Sequence, residues 1–119
     1  MNNESTLLLE HNLQQVWNQR DPAVRMQAIQ QLYTPDANLY HVGSKVSGFE
    51  AINLSVTRVL ESLPPDFEFT LVKPVIVNND LCRAIWGAGP KGQAPVASGM
   101  DIACLESGKI KSLYVFLES

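Results

Sequence analysis

Apolar residues recur with a helical period through the first half of the chain and alternate like strands through the second. Leu9, Leu13, Val16 and Trp17 fall at i, i+4, i+7 and i+8, on one face of a helix expected from about Thr6 to Arg20. Asp21 and Pro22 read as an N-cap and a proline at the first helical position. Val24, Ala28, Ile29 and Leu32 then carry an apolar face on to about Tyr33. Thr34, Pro35 and Asp36 end that helix, because a proline disfavours helical backbone in the residue before it. Ala37 to Val42 follows as a short extended run that contains His41. Gly48, Phe49 and Glu50 open a third helix, with Ile52, Val56, Val59, Leu60 and Leu63 along one face, and Pro64 and Pro65 stop it.

Beyond the two prolines the period changes. Strands are expected over Phe67 to Val77, Leu81 to Ala88, Val96 to Leu105 and Ile110 to Leu117. Hairpin connections carry Asn78, Asn79 and Asp80, then Gly89, Pro90, Lys91 and Gly92, then Ser107, Gly108 and Lys109. Helices first and a meander of strands last predict an α+β domain, with three N-terminal helices on one face of a mostly antiparallel sheet. In the last strand Leu113, Val115 and Leu117 point one way, while Tyr114 and Phe116 point the other. Helices can cover only one of these apolar faces, so the outer face is expected to pack against a second copy in a homodimer.

Composition narrows the class. A chain of 119 residues with 45% hydrophobic content fits one globular domain over residues 1–119. A net charge of −3 supplies no basic stripe, so neither nucleic acid nor an anionic membrane surface is an expected partner. No run approaches the roughly 18 apolar residues of a membrane span, and the first residues lack the basic start of a signal peptide, so a cytoplasmic location is expected. Cys82 and Cys104 have no CxxC spacing and no metal-type neighbours, which makes them ordinary thiols. Gly87 to Gly92 is glycine-rich but is followed by a strand, not by a GKS or GKT ending and a helix, so it reads as a hairpin and not a phosphate cradle. No metal site and no cofactor is expected.

The chemistry centres on Asp101, alone in the apolar run from Val96 to Leu105. An ionised carboxylate is costly to bury, so such a group has a partner, a shifted pKa or a pocket. Trp86 alternates with Ala84 and Ala88 and can face either a pocket or the dimer interface.

Gln31 to Ala37, the Gly48–Ile52 helix start, Gly99, Met100 and Asp101, and Ser107 to Leu113 stand in an order and spacing that resembles the SnoaL-like branch of the nuclear transport factor 2-like superfamily. The resemblance covers nearly the whole chain. It implies a cystatin-like α+β cone in which a curved sheet wraps around helices and encloses an apolar pocket. It does not fix a reaction, because this fold hosts several chemistries. Next to ketosteroid isomerase of the same superfamily, Asp101 matches the protonated aspartate of the oxyanion hole and His41 falls at the general base. Leu13 stands where that enzyme has a helix-one tyrosine.

The resemblance therefore implies His41 and Asp101 as catalytic residues; Val56, Val59, Leu113 and Val115, which share a face with Asp101 or face it from the third helix, are expected to wall the ligand together with Leu13, Trp17 and Trp86. A neutral imidazole suits His41 to proton abstraction near neutral pH. Asp101 has two open roles: a protonated donor to a developing oxyanion, or an ionised partner that orients the His41 ring. Two functions are left open at this point. One is a cofactor-free isomerase, cyclase or hydratase acting on a small apolar carbonyl or hydroxyl compound. The other is a non-catalytic ligand-binding or dimerising module.

Overall fold

The first helix is not a uniform α-helix. In the computed structural model, which describes residues 3–118, α1 (Asn3–His11) runs into a wider, π-helical turn (Asn12–Trp17), where the Asn18 amide reaches the Leu13 carbonyl five residues back at 2.9 Å. The expected stripe holds, since Leu9, Leu13, Val16 and Trp17 are all buried.

The second helix, α2 (Pro22–Leu32), starts as its residues dictate: Asp21 Oδ1 accepts from the Ala23 and Val24 amides at 2.9 and 3.4 Å. Its inner face differs from expectation. The buried set is Arg25, Ala28, Ile29 and Leu32, and Val24 is 47% exposed. Arg25 is 1% exposed and has neutral acceptors only: Nε donates to Gln19 O at 2.8 Å, and Nη1 to Asn53 Oδ1 and Thr57 Oγ1 at 2.7 and 2.6 Å. Burial pulls its pKa down, against the raising effect of Asp21. Because Asn53 and Thr57 lie on α3 (Phe49–Glu61), this side chain fastens one helix to the other. Arg20 acts similarly at the far end of α3, donating to Leu60 O and Pro64 O at 3.1 and 2.9 Å, carbonyls that also accept the Leu63 and Phe67 amides.

Seven strands form the sheet: β1 (Tyr33–His41), β2 (Ser44–Ser47), β3 (Phe67–Leu71), β4 (Ile76–Asn78), β5 (Leu81–Pro90), β6 (Ala97–Glu106) and β7 (Lys109–Glu118). Their order is β2-β1-β7-β6-β5-β3, with β4 also paired to β5. All neighbours are antiparallel except β1 and β7, so the sheet is mixed. The three helices are N-terminal only in part, because β1 and β2 intervene between α2 and α3. The extended run expected from Ala37 to Val42 falls largely within β1; what local pattern did not carry is that β1 pairs with β7, far along the chain. The expected strand from Phe67 to Val77 is also two strands, interrupted where Pro74 cannot supply an amide hydrogen. The β6–β7 turn carries Ser107 and Gly108 at φ 53° and 78°, the two positive values of a tight hairpin turn.

The helices pack on one face of the sheet, around Val16, Ile29, Leu39, Ile52, Val56 and Leu113, none of which is exposed. On the outer face the Tyr40 and Tyr114 rings stack in parallel with centroids 4.4 Å apart. Phe116 beside them is 50% exposed. No helix among the described residues is long and apolar enough to cross a membrane.

Candidate functional site

A cavity of about 340 Å³ opens between the inner face of the sheet and the helices. The π-helical turn contributes Leu13 and Trp17, α3 and its C-terminal end contribute Val59, Ser62 and Leu63, and the sheet supplies the rest of the wall. Ser62, Ala97 and Leu117 are exposed and mark the rim, whereas Leu13, Trp86 and Asp101 are buried and form the deep end. The lining is hydrocarbon and aromatic apart from Asp101, His41, Ser62 and the two indole N–H groups.

The polar end is assembled by the β5–β6 register. Trp86 pairs with Gly99 and Ala84 with Asp101. A Cβ at position 99 would stand 2.3 Å from Trp86 Cζ2, so only glycine leaves room for the indole to lie across β6. From there Trp86 Nε1 donates to Asp101 Oδ1 at 2.9 Å. The ring is held from its other side by Phe69 at 5.3 Å and 85°, and Phe69 meets Trp17 at 6.1 Å and 78°, so three edge-to-face aromatic rings form one wall.

Asp101 is 4% exposed and faces no cation in the cavity lining. Loss of water pushes its carboxyl up to about 7, against the lowering effect of the Trp86 hydrogen bond. Tyr33 lies nearby, wholly buried, and its hydroxyl donates to Asn12 Oδ1 at 2.6 Å. Burial raises that phenol far above its ordinary range, and the charge of Asp101 adds to the effect. The Trp17 indole N–H is close enough to the same hydroxyl to favour its ionised form, yet makes no hydrogen bond of ordinary geometry.

His41, at the end of β1, lies on the cavity wall, and its buried Nε2 has no hydrogen-bond partner among the described residues. No hydrogen bond joins it to Asp101, whose bonded oxygen is taken by Trp86, so the paired dyad is not formed. Of the other expected residues, Leu13, Trp17, Val59, Trp86 and Val115 line the cavity, and Trp86 thereby faces inward and not toward the outer sheet face. Val56 and Leu113 do not line it. Both are wholly buried, with Leu113 set between Leu39 and Ala103 in the sheet, two residues further from the rim than Val115. Sequence reasoning missed Ser62, Leu63, Phe69, Ala88, Ala97 and Leu117. Alternation with Trp86 and Val115 could have found Ala88 and Leu117, but Phe69 depends on a strand register that local pattern does not carry.

Solved structures share this architecture. A candidate isomerase of the SnoaL-like family from Agrobacterium tumefaciens superposes with a TM-score of 0.89 at 18% identity, over 99% of this chain and 100% of that one. A candidate SnoaL-like polyketide cyclase from Jannaschia gives 0.76 at 16% identity, over 98% and 86%. A candidate ketosteroid isomerase from Kribbella flavida gives 0.73 at 11%, over 98% and 79%. At such identities the likeness is one of fold. No curated protein is matched by the sequence. The SnoaL-like domain family matches residues 11–113, the span that contains every strand bordering the cavity up to Leu113 of β7, and this chain belongs to that family.

Proposed function

We propose that the cavity binds a small, largely apolar molecule bearing a carbonyl or hydroxyl group, and that His41 and Asp101 carry out cofactor-free acid–base chemistry on it, as in an isomerase, cyclase or hydratase. The observation that carries this reading is a buried carboxyl group at the deep end of an open apolar cavity, with an unpartnered imidazole nitrogen on the same wall. In this reading neutral Asp101 donates a hydrogen bond to the substrate oxygen, where negative charge develops, and the low-polarity surroundings strengthen that bond. Neutral His41 takes a proton from the adjacent carbon and returns it at a second position. The isomerase and cyclase names given to structural neighbours support the same reaction classes.

The test is proton exchange. A set of compact apolar ketones is incubated with the protein in deuterated water, and deuterium at the carbon next to the carbonyl is followed by mass spectrometry. Exchange is expected to exceed the buffer rate and to fall at least about 100-fold in both His41→Ala and Asp101→Asn, the contribution of one positioned acid or base. Binding without exchange instead supports the second reading, a non-catalytic ligand-binding module. That reading is favoured by the missing His41–Asp101 contact and by leucine at position 13.

The reading extends to a cytoplasmic single-domain homodimer. Two free cysteines, Cys82 and Cys104, suit a reducing compartment. The exposed Phe116 beside the Tyr40–Tyr114 stack gives the outer sheet face an apolar surface for a second copy.

A further inference from the structure

We infer that Trp86 is a positioning residue: its indole N–H holds Oδ1 of Asp101 and so presents Oδ2 to the cavity as the oxygen that meets the ligand. The inference rests on the pocket reading above but concerns the carboxyl group itself, which can be observed with the cavity empty.

A buried carboxyl with free rotation could offer either oxygen to the cavity in either protonation state. Here the choice is made by one bond. Nε1 of Trp86 lies 2.9 Å from Oδ1, and among the described residues no side chain donates to Oδ2. The indole is packed in place, since Trp86 is buried, Phe69 meets it edge-to-face and position 99 has no side chain to displace it. Ala84, the residue directly across from Asp101, is small, which leaves the path from the indole to the carboxyl open. When the group is neutral, the oxygen that accepts the N–H is the carbonyl oxygen, and the proton resides on the other. Asp101 is thereby set as a donor aimed into the cavity, suited to a neutral ligand carrying an acceptor oxygen. When the group ionises, the same N–H becomes a charge-assisted donor and opposes the effect of burial.

The other titratable groups turned toward this end are Tyr33 and His41, both on β1. The cavity wall from the π-helical turn, α3, β3 and β7 brings only Leu, Trp, Val, Ser and Phe side chains, so no acid or base from those elements replaces the indole.

Selective carbon-13 labelling of aspartate carboxyls lets the Asp101 titration be followed by NMR. Trp86→Phe keeps the ring and deletes the N–H, so the midpoint is expected to rise by about one pH unit, a tenfold tighter hold on the proton. Gly99→Ala, which displaces the indole, is expected to move it in the same direction. A folded Trp86→Phe protein with an unmoved midpoint overturns the inference. Should both variants fail to fold, the wild-type protein decides: the Trp86 indole proton resonance must shift with the same midpoint as the Asp101 carboxyl, and an indole indifferent to that titration also overturns it. The fluorescent ketone 6-propionyl-2-(dimethylamino)naphthalene supplies the link to ligand. Its emission is expected to move to the red in the wild-type cavity through hydrogen bonding, and to lose that shift in Trp86→Phe. If the ketone fails to bind while the two resonances titrate together, the pocket reading fails and the positioning of Asp101 stands.

Discussion

A carboxyl group pushed up to about 7 by burial makes stability depend on pH in the direction opposite to that of a salt-bridged acid. The folded protein holds the Asp101 proton more tightly than the unfolded chain, whose aspartate titrates near the reference value of 3.8. Below that value both states are protonated and nothing is lost. Between about pH 4 and pH 7 only the unfolded chain releases its proton, so stability falls as pH rises, and above about 7 it levels off. The Asp101→Asn variant lacks this slope. Its gain over wild type is expected to grow from pH 4 to pH 8 by on the order of 4 kcal/mol, read from urea midpoints at constant m-value. Parallel pH profiles for the two proteins would contradict a neutral, desolvated Asp101. The exposed Asp36, held below its ordinary value first by its hydrogen bond with Lys111, loses its contribution as pH falls through the acid range, outside this window. The isolation of Asp101 in an apolar run was legible in the sequence, whereas a pocket beside it stood as one reading alongside a partner and a shifted pKa. Its partner was not legible: Trp86 and Gly99 lie on different strands, and only the pairing of β5 with β6 brings an indole and a missing side chain to the same spot.

Among the elements, β3 is held along its free edge by side chains from outside the sheet, Arg20 on Phe67 O at 3.4 Å and, more closely, Asn18 on Phe69. Asn18, just past the π-helical turn, donates from Nδ2 to Phe69 O at 2.8 Å and accepts from the Phe69 amide at 2.7 Å, so it mimics a neighbouring strand along one residue of the free edge. Asn18→Ala leaves both backbone groups without that partner. A loss of about 1–3 kcal/mol is expected, together with faster hydrogen exchange at the Phe69 amide than at amides in β6. Equal exchange in variant and wild type would remove Asn18 from this role. The third helix was legible because its apolar spacing, glycine start and double-proline stop agree with one another. The second helix was legible in extent but not in facing: its apolar face was read through Val24, whereas the buried row is Arg25, Ala28, Ile29 and Leu32 at i, i+3, i+4 and i+7. Its burial is stabilised by acceptors on α3 that no local window contains.

At the scale of the molecule, the proposed homodimer rests on the outer sheet face. Tyr40, Tyr114 and Phe116 bring aromatic surface to it, and Phe116 is half exposed. Phe116→Glu places a charge in the proposed dimer contact while leaving the inner face alone. Wild-type protein is expected to sediment at twice the mass of one chain and the variant as a single chain at the same concentration; a wild-type monomer at micromolar concentration rules the contact out. The mixed topology has a temporal side as well. Because β7 lies between β1 and β6, the two halves of the sheet stay unjoined until its ten residues, Lys109–Glu118, are in place. A nascent chain still holding those residues in the ribosomal tunnel can pair β1 with β2 but not with the rest of the sheet, so the wall that joins His41 of β1 to Asp101 of β6 forms only once β7 has emerged.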